Sequence, residues 1–345
     1  MKEPGLQQHR RSWWRLLVGG LISLAFLWLA FRGVDWSRAW ESIAHAHWGW
    51  IALGQGALVL GIWCRAARWR LMFFPQHRRL RQSKFFSIFL VGQVINAVVP
   101  IRLGELARAY LIGQSEGVSK AQALWTVVIE KVLDSLTLLL FLLVMGFLVP
   151  LPPWLQKAAW ALSGAILVGL GLLGVLLGLR RRTEHWLQTL EARRPWLGRL
   201  RLARLFAVVV ESVRLVRRPE LFGGLMAWSV GAFLIGALGN WLVAQAMGLG
   251  ASYGACLLLL AVLQISAVVP IPTSPGRVGL FHYLCIISLA IFGIAREPAL
   301  SYSLVLHALF YLPIAVGGPI GIWLESYRWR DLVRILQAEG KAPRV

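Results

Sequence analysis

At 345 residues, 58% hydrophobic and 15% charged, this chain is too apolar for a soluble domain and holds several runs of about 20 apolar residues, each able to cross a bilayer core of about 30 Å as a helix. A net charge of +21 would suit a nucleic-acid binder, but 27 of the 36 Lys and Arg fall in four short segments, 1–15, 65–84, 180–220 and 325–345. Clusters of that kind mark the cytoplasmic ends of membrane spans, so the charge is a topology signal and nucleic acid is not an expected partner.

In chain order, the N-terminus is basic and leads into an apolar stretch, 15–32, with no small-residue cleavage site after it, which reads as an uncleaved first span. Asp35 to His47 places Trp36, Trp40 and Ile43 at helical spacing and suits a short helix at the membrane interface. A second span, 48–64, returns to the basic segment 65–84. An interrupted element follows at 85–113, then spans at 119–149 and 154–179, separated by Pro150-Leu151-Pro152-Pro153. Residues 184–217 read as two amphipathic helices broken at Pro195. A span at 221–247, a second interrupted element at 252–294 and a last span at 298–324 lead to the basic tail. Trp13, Trp14, Trp48, Trp154 and Trp323 lie near span ends, where aromatic belts form. Cys64, Cys256 and Cys285 lie inside apolar runs without metal-ligand spacing and read as buried free thiols.

The two interrupted elements repeat each other. Ile95-Asn96-Ala97-Val98-Val99-Pro100-Ile101 matches Ile265-Ser266-Ala267-Val268-Val269-Pro270-Ile271 at six of seven positions. Arg102-Leu103-Gly104 has its counterpart in Arg277-Val278-Gly279, after the insertion Pro272 to Gly276. Because segments 65–84 and 180–220 share a side, the first element must cross an even number of times; the same count holds for the second, which starts from the opposite face. The expected fold is therefore all-α and polytopic: about six full spans plus two interrupted elements, re-entrant or paired short, in one transmembrane domain. An inverted repeat relates its first half, about 48–149, to its second, about 221–324, across the linker at 180–220. Broken apolar segments at matching positions of two halves point to a transporter's binding site.

Charges inside such segments are costly and need a partner or a cavity. Arg102, Glu105 and Arg108 follow the first break, and Glu105 and Arg108 share a helix face. Glu130, Lys131 and Asp134 form a charge network inside the third full span. Lys131 is spaced to pair with Asp134, while Glu130 reaches Arg102 or Arg108 only if the hairpin packs on that span; mutual neutralisation as a brace is the plain alternative. Arg277 follows Pro272-Thr273-Ser274-Pro275-Gly276 and precedes Gly279. A guanidinium, the Thr273 and Ser274 hydroxyls and glycines before a helix start suit a phosphate; the alternative is an arginine that snorkels to the interface. His282 and His307 are candidates for proton coupling or packing histidines, and His307 shares a face with Tyr311. Gln93, Asn96, Asn240 and Gln264 suit helix–helix hydrogen bonds.

Pro100 to Arg108 (PIRLGELAR), Val127 to Asp134 (VVIEKVLD) and Pro272 to Gly279 (PTSPGRVG) resemble the motifs of the lysylphosphatidylglycerol synthase transmembrane-region family, also called flippase-like membrane proteins, over about 15–325. Larger multi-domain members use such a region to move aminoacylated phosphatidylglycerol, and some stand-alone members are associated with hopanoid or polyprenyl-linked sugar pathways. The sequence ends at Val345 without room for a soluble aminoacyltransferase domain, so no enzyme activity and no cofactor are expected. It departs from the family pattern at Lys131, where an arginine is usual, and at Arg277 and His282, which make the second half more basic. The resemblance implies a lipid translocase of the bacterial cytoplasmic membrane, with both termini cytoplasmic. Its cargo would be an anionic, phosphate-bearing lipid, held by Arg102, Gly104, Glu105, Arg108, Thr273, Ser274, Gly276, Arg277 and Gly279. A non-transporting partner of a glycosyltransferase or lipid-modifying enzyme is the alternative. An intramembrane enzyme is disfavoured, since no aspartate-rich metal motif is present.

Overall fold

The computed structural model describes residues 24–98, 103–148, 153–193, 206, 218–268 and 275–324. These residues form helices and connecting turns, with no strand among them. In chain order the helices are α1 (24–31), α2 (Trp36–Ala44), α3 (Trp48–Leu71), α4 (Gln82–Val98), α5 (Gly104–Ser115), α6 (Lys120–Leu148), α7 (Pro153–Gly178), α8 (Arg180–Arg193), α9 (Pro219–Ala246), α10 (Tyr253–Val268), α11 (Val278–Ala290) and α12 (Arg296–Leu324).

Among the described residues, Trp48–Leu71, Ala159–Leu176, Pro219–Ala246 and Arg296–Trp323 are long and apolar enough to cross a membrane. The chain is therefore an integral membrane protein. Half of the expected first span, 15–23, lies outside the described residues, and α6 carries Glu130, Lys131 and Asp134 within its length. Each interrupted element is a pair of short helices. The pairs α4–α5 and α10–α11 run 17, 12, 16 and 13 residues, or about 18 to 26 Å at 1.5 Å per residue, so none spans the core alone. Flanking helices extend the parallel: α3 to α6 measure 24, 17, 12 and 29 residues, and α9 to α12 measure 28, 16, 13 and 29.

The second expected span stops at residue 64, but α3 continues to Leu71. The added turns hold Arg65, Arg68 and Arg70 yet bury Ala66, Ala67 and Trp69. Apolar periodicity wins there because the charge at Arg68 is compensated internally, as described below.

Contacts divide the chain into two compact units, each drawing on both sequence halves. One comprises Met1–Trp63, Phe86–Arg108 and Ala232–Val345. Its core gathers Val243, Cys256, Leu259, Cys285, Leu289, Leu300 and Tyr302, and the Tyr302 hydroxyl donates to Asn240 O at 3.1 Å. Helices α3 and α9 approach closely at Gly54 and Gly239, where an added Cβ on Gly54 would meet Val243 at 2.9 Å; small residues permit this between membrane helices. Helix α2 is held by Ser301 Oγ, which donates to Ala39 O at 2.9 Å, while its Trp36 and Trp40 stay exposed, as an interfacial helix requires. Arg296 of α12 caps α1 by donating to Leu29 O and Ala30 O.

The other unit comprises Cys64–Phe85 and Ala109–Gly231. Trp69, Phe73 and Phe85 meet edge to face, with centroids 4.7 to 6.1 Å apart, a favoured aromatic geometry. Trp69 Nε1 donates to Thr126 Oγ1 at 2.7 Å, so the indole's polar atom is satisfied inside the core. Of the amphipathic segment expected at 184–217, α8 and Phe206 are described and the rest lies outside the described residues.

Candidate functional site

Beside the first break, Asn96, Gly104 and Arg108 of one unit hold α5 against α4. Asn96 Oδ1 accepts from the Gly104 backbone N–H at 2.8 Å, satisfying one of the donors that the start of α5 leaves open. Gly104 lies against α4 so closely that an added Cβ would stand 1.9 Å from Gly92 O. One turn on, Arg108 lies across Gly92 and is 4% exposed, its guanidinium 4.6 Å from the centre of the Phe89 ring, within cation–π range. Glu105, half-buried in the first turn of α5, sits where the helix dipole favours a carboxylate. Asn96→Ala is expected to remove the cap and lower stability by about 1 kcal/mol, read as a fall in unfolding temperature in detergent. Arg102 lies outside the described residues.

The second break uses a different construction at the same repeat position. Arg277 Nη1 donates to Ser266 O at 2.8 Å, and Ser266 is the counterpart of Asn96 in the repeated string. Gly276 and Arg277 both take left-handed backbone, with φ of 71° and 52°. Arginine there costs about 1 kcal/mol, and strain of this kind gathers at binding sites. The Gly276 carbonyl accepts from the Tyr311 hydroxyl at 3.0 Å and from His307 Nε2 at 3.3 Å. Gly279 is buried in the first turn of α11, and His282 one turn further is 1% exposed. Thr273 and Ser274 lie outside the described residues.

Helix α12 touches both broken pairs. Its His307 and Tyr311 hold Gly276, while Gly317, Gly318 and Gly321 receive α4: an added Cβ on Gly318 would meet Val94 Cγ2 at 2.1 Å, and one on Gly321 would meet Ser87 Oγ at 2.6 Å. Pro313 lies between the two contact zones.

The charges of α6 belong to the other unit, where sequence reasoning missed the central residue. Arg68 of α3, 2% exposed, stands 2.7 Å from Asp134 and 3.7 Å from Glu130, and its Nη1 donates to Ser229 Oγ at 2.8 Å. Asp134 therefore pairs with Arg68, where local spacing had favoured Lys131, which is exposed. Glu130 likewise lies against Arg68, whereas the sequence offered Arg102 or Arg108. The apolar continuation Ala66-Ala67, Trp69, Leu71-Met72-Phe73 was the signal that Arg68 lies inside a helix core. An open pocket of about 470 Å³ lies between Ser42, loop 247–252 and residues 292–298 and contains none of the predicted site residues.

A helical membrane protein with two short broken helix pairs and buried guanidinium groups is the class these features define. Residues 16–318 match the family model of the lysylphosphatidylglycerol synthase transmembrane region, and the chain belongs to that family. No curated protein and no solved structure matches it.

Proposed function

We propose that this protein moves an anionic, phosphate-bearing lipid between the leaflets of a bacterial cytoplasmic membrane. One observation carries the reading: within a single unit, α12 packs on α4 of the first broken pair and on Gly276 at the second break. Family membership supports a lipid-handling role. The clustering of Lys and Arg supports cytoplasmic termini and an inverted repeat, in which the two pairs enter from opposite faces and meet near the midplane. The headgroup passes along Arg102, Arg108 and Arg277 while its tails stay in lipid. Arg68, Glu130 and Asp134 brace the other unit. The protein acts as a carrier, not as an enzyme, and needs no cofactor.

The test is movement of a fluorescent phosphatidylglycerol across proteoliposomes. A hydrogen bond to a charged group contributes about 1.5–3 kcal/mol, so Arg277→Ala is expected to slow movement at least about tenfold. Glu105→Gln is expected to slow it as well. Unchanged rates in both variants contradict the assignment. No movement by the wild type, with a glycosyltransferase or lipid-modifying enzyme retained on purification, favours a non-transporting partner.

A further inference from the structure

The chemistry of the two histidines beside the second break follows from their partners. Ser303 Oγ donates its single proton to Leu300 O at 2.7 Å, so in its 2.9 Å contact with His282 Nδ1 it accepts. A carbonyl only accepts, so His307 Nε2 carries the hydrogen it gives to Gly276 O. Each neutral ring is left with one basic nitrogen: Nε2 in His282 and Nδ1 in His307. The rings are 5.0 Å apart and perpendicular, close enough that a charge on one opposes a charge on the other. The pair therefore takes one proton. Phe281 stacks on His307 at 4.8 Å and Phe31 lies 6.1 Å from His282, so apolar rings enclose it.

Among the described residues, no ion pair joins either histidine to an acid. Helices α10 and α11 contain no Asp or Glu, and their other ionisable groups are Tyr253, Cys256, Tyr283 and Cys285. From α12 come Tyr302 and Tyr311, and Arg277 adds a cation at the break. Helix α1 contributes none and is followed by Arg32. The acids on the packed elements are Asp35, whose Oδ1 accepts from the Ser37 N–H at 3.0 Å, and Glu41 and Glu297, which line a pocket at the start of α12; Glu297 is ten residues before His307, about 15 Å along the helix.

We propose that His282 and His307 form a one-proton site whose occupancy is linked to an anionic headgroup at the second break. A buried imidazolium beside Arg277 needs a counter-charge, and by linkage an anion that strengthens proton binding is strengthened equally by the proton. The proton moves from water to a ring nitrogen and back, and no other bond changes. A monoanionic headgroup then travels with one proton and no net charge. This rests on the transport reading above and names its coupling.

The sign is fixed: the protonated form binds the anion, so acid on the loading side accelerates movement and rising pH slows it. In proteoliposomes holding an entrapped pH dye and fluorescent phosphatidylglycerol, the wild type is expected to gain up to about tenfold per pH unit where proton binding limits, with one proton carried per lipid. His282→Asn and His307→Gln each keep a donor N–H but lose the basic nitrogen, and are expected to move lipid at a pH-independent rate. Tyr311→Phe disturbs the same loop with both basic nitrogens in place and is expected to retain the slope. Lipid movement by the wild type with no pH dependence and no proton carried overturns the coupling while leaving transport intact, as does a full slope in both histidine variants. Should those variants move no lipid at all, the wild-type proton-to-lipid ratio decides: one supports the proposal and zero overturns it. Absence of movement by the wild type at any pH removes the transport reading and the coupling with it.

Discussion

Gly104→Ala is expected to abolish lipid movement and to destabilise the protein by about 3 kcal/mol or more, the upper end of what overpacking costs. The methyl group would enter 1.9 Å from Gly92 O and 2.7 Å from Asn96 Cγ and Oδ1. Rotamer changes relieve a clash with a flexible side chain, but here the nearest atom is backbone, so α4 and α5 must move apart. Separation also withdraws Asn96 from the Gly104 N–H and Arg108 from Phe89. Gly164→Ala in α7 is the control. Its methyl meets nothing within 4 Å, and alanine is about 0.5–1 kcal/mol better than glycine inside a helix, so stability is expected to hold or rise. Thermal unfolding in detergent reads both variants, and equal unfolding temperatures would show that the α4–α5 crossing is looser than described.

Arg68→Met is expected to be the most damaging single change in the other unit, at about 3–5 kcal/mol. It leaves Asp134 and Glu130 facing each other without the guanidinium, and Glu130 is 5% exposed. Taking away one partner of a buried charge set costs more than replacing the whole set, because the remaining charges lose their compensation. The combination Arg68→Met, Glu130→Gln and Asp134→Asn is therefore expected to recover a large part of the loss. Denaturant unfolding of the single and triple variants is the measurement; a triple variant no more stable than Arg68→Met would contradict the charge-compensation account.

The helical class, the positions of both breaks and the pairing of α4–α5 with α10–α11 are legible in the sequence, because apolar runs, prolines and a repeated string are local signals. The interfacial α2 is legible for the same reason, from Trp36, Trp40 and Ile43. What escapes is the partner of each polar group. Asn96 reads as a helix–helix hydrogen bond, yet it caps Gly104 eight residues on, which depends on how closely α5 lies against α4. Gly92 carries no signal by itself; its meaning comes from Gly104 landing on it. Arg68 hides among arginines that mark a membrane side, and its partners lie more than 60 residues away. His307 and Tyr311 share a face by spacing alone, but their common target, Gly276 O, exists only once the second break is folded against α12.

The arrangement of the two broken pairs is tested most directly by labelling introduced cysteines from either side of sealed vesicles. Cys64, Cys256 and Cys285 are buried, so the natural thiols give little background. The account predicts that Arg79→Cys, Gly117→Cys and His185→Cys, all at exposed positions, react from the cytoplasmic side, and that Ser252→Cys and Ala295→Cys react from the other. Arg79→Cys and Gly117→Cys reacting from opposite sides, or Ser252→Cys sharing a side with Arg79→Cys, would contradict it.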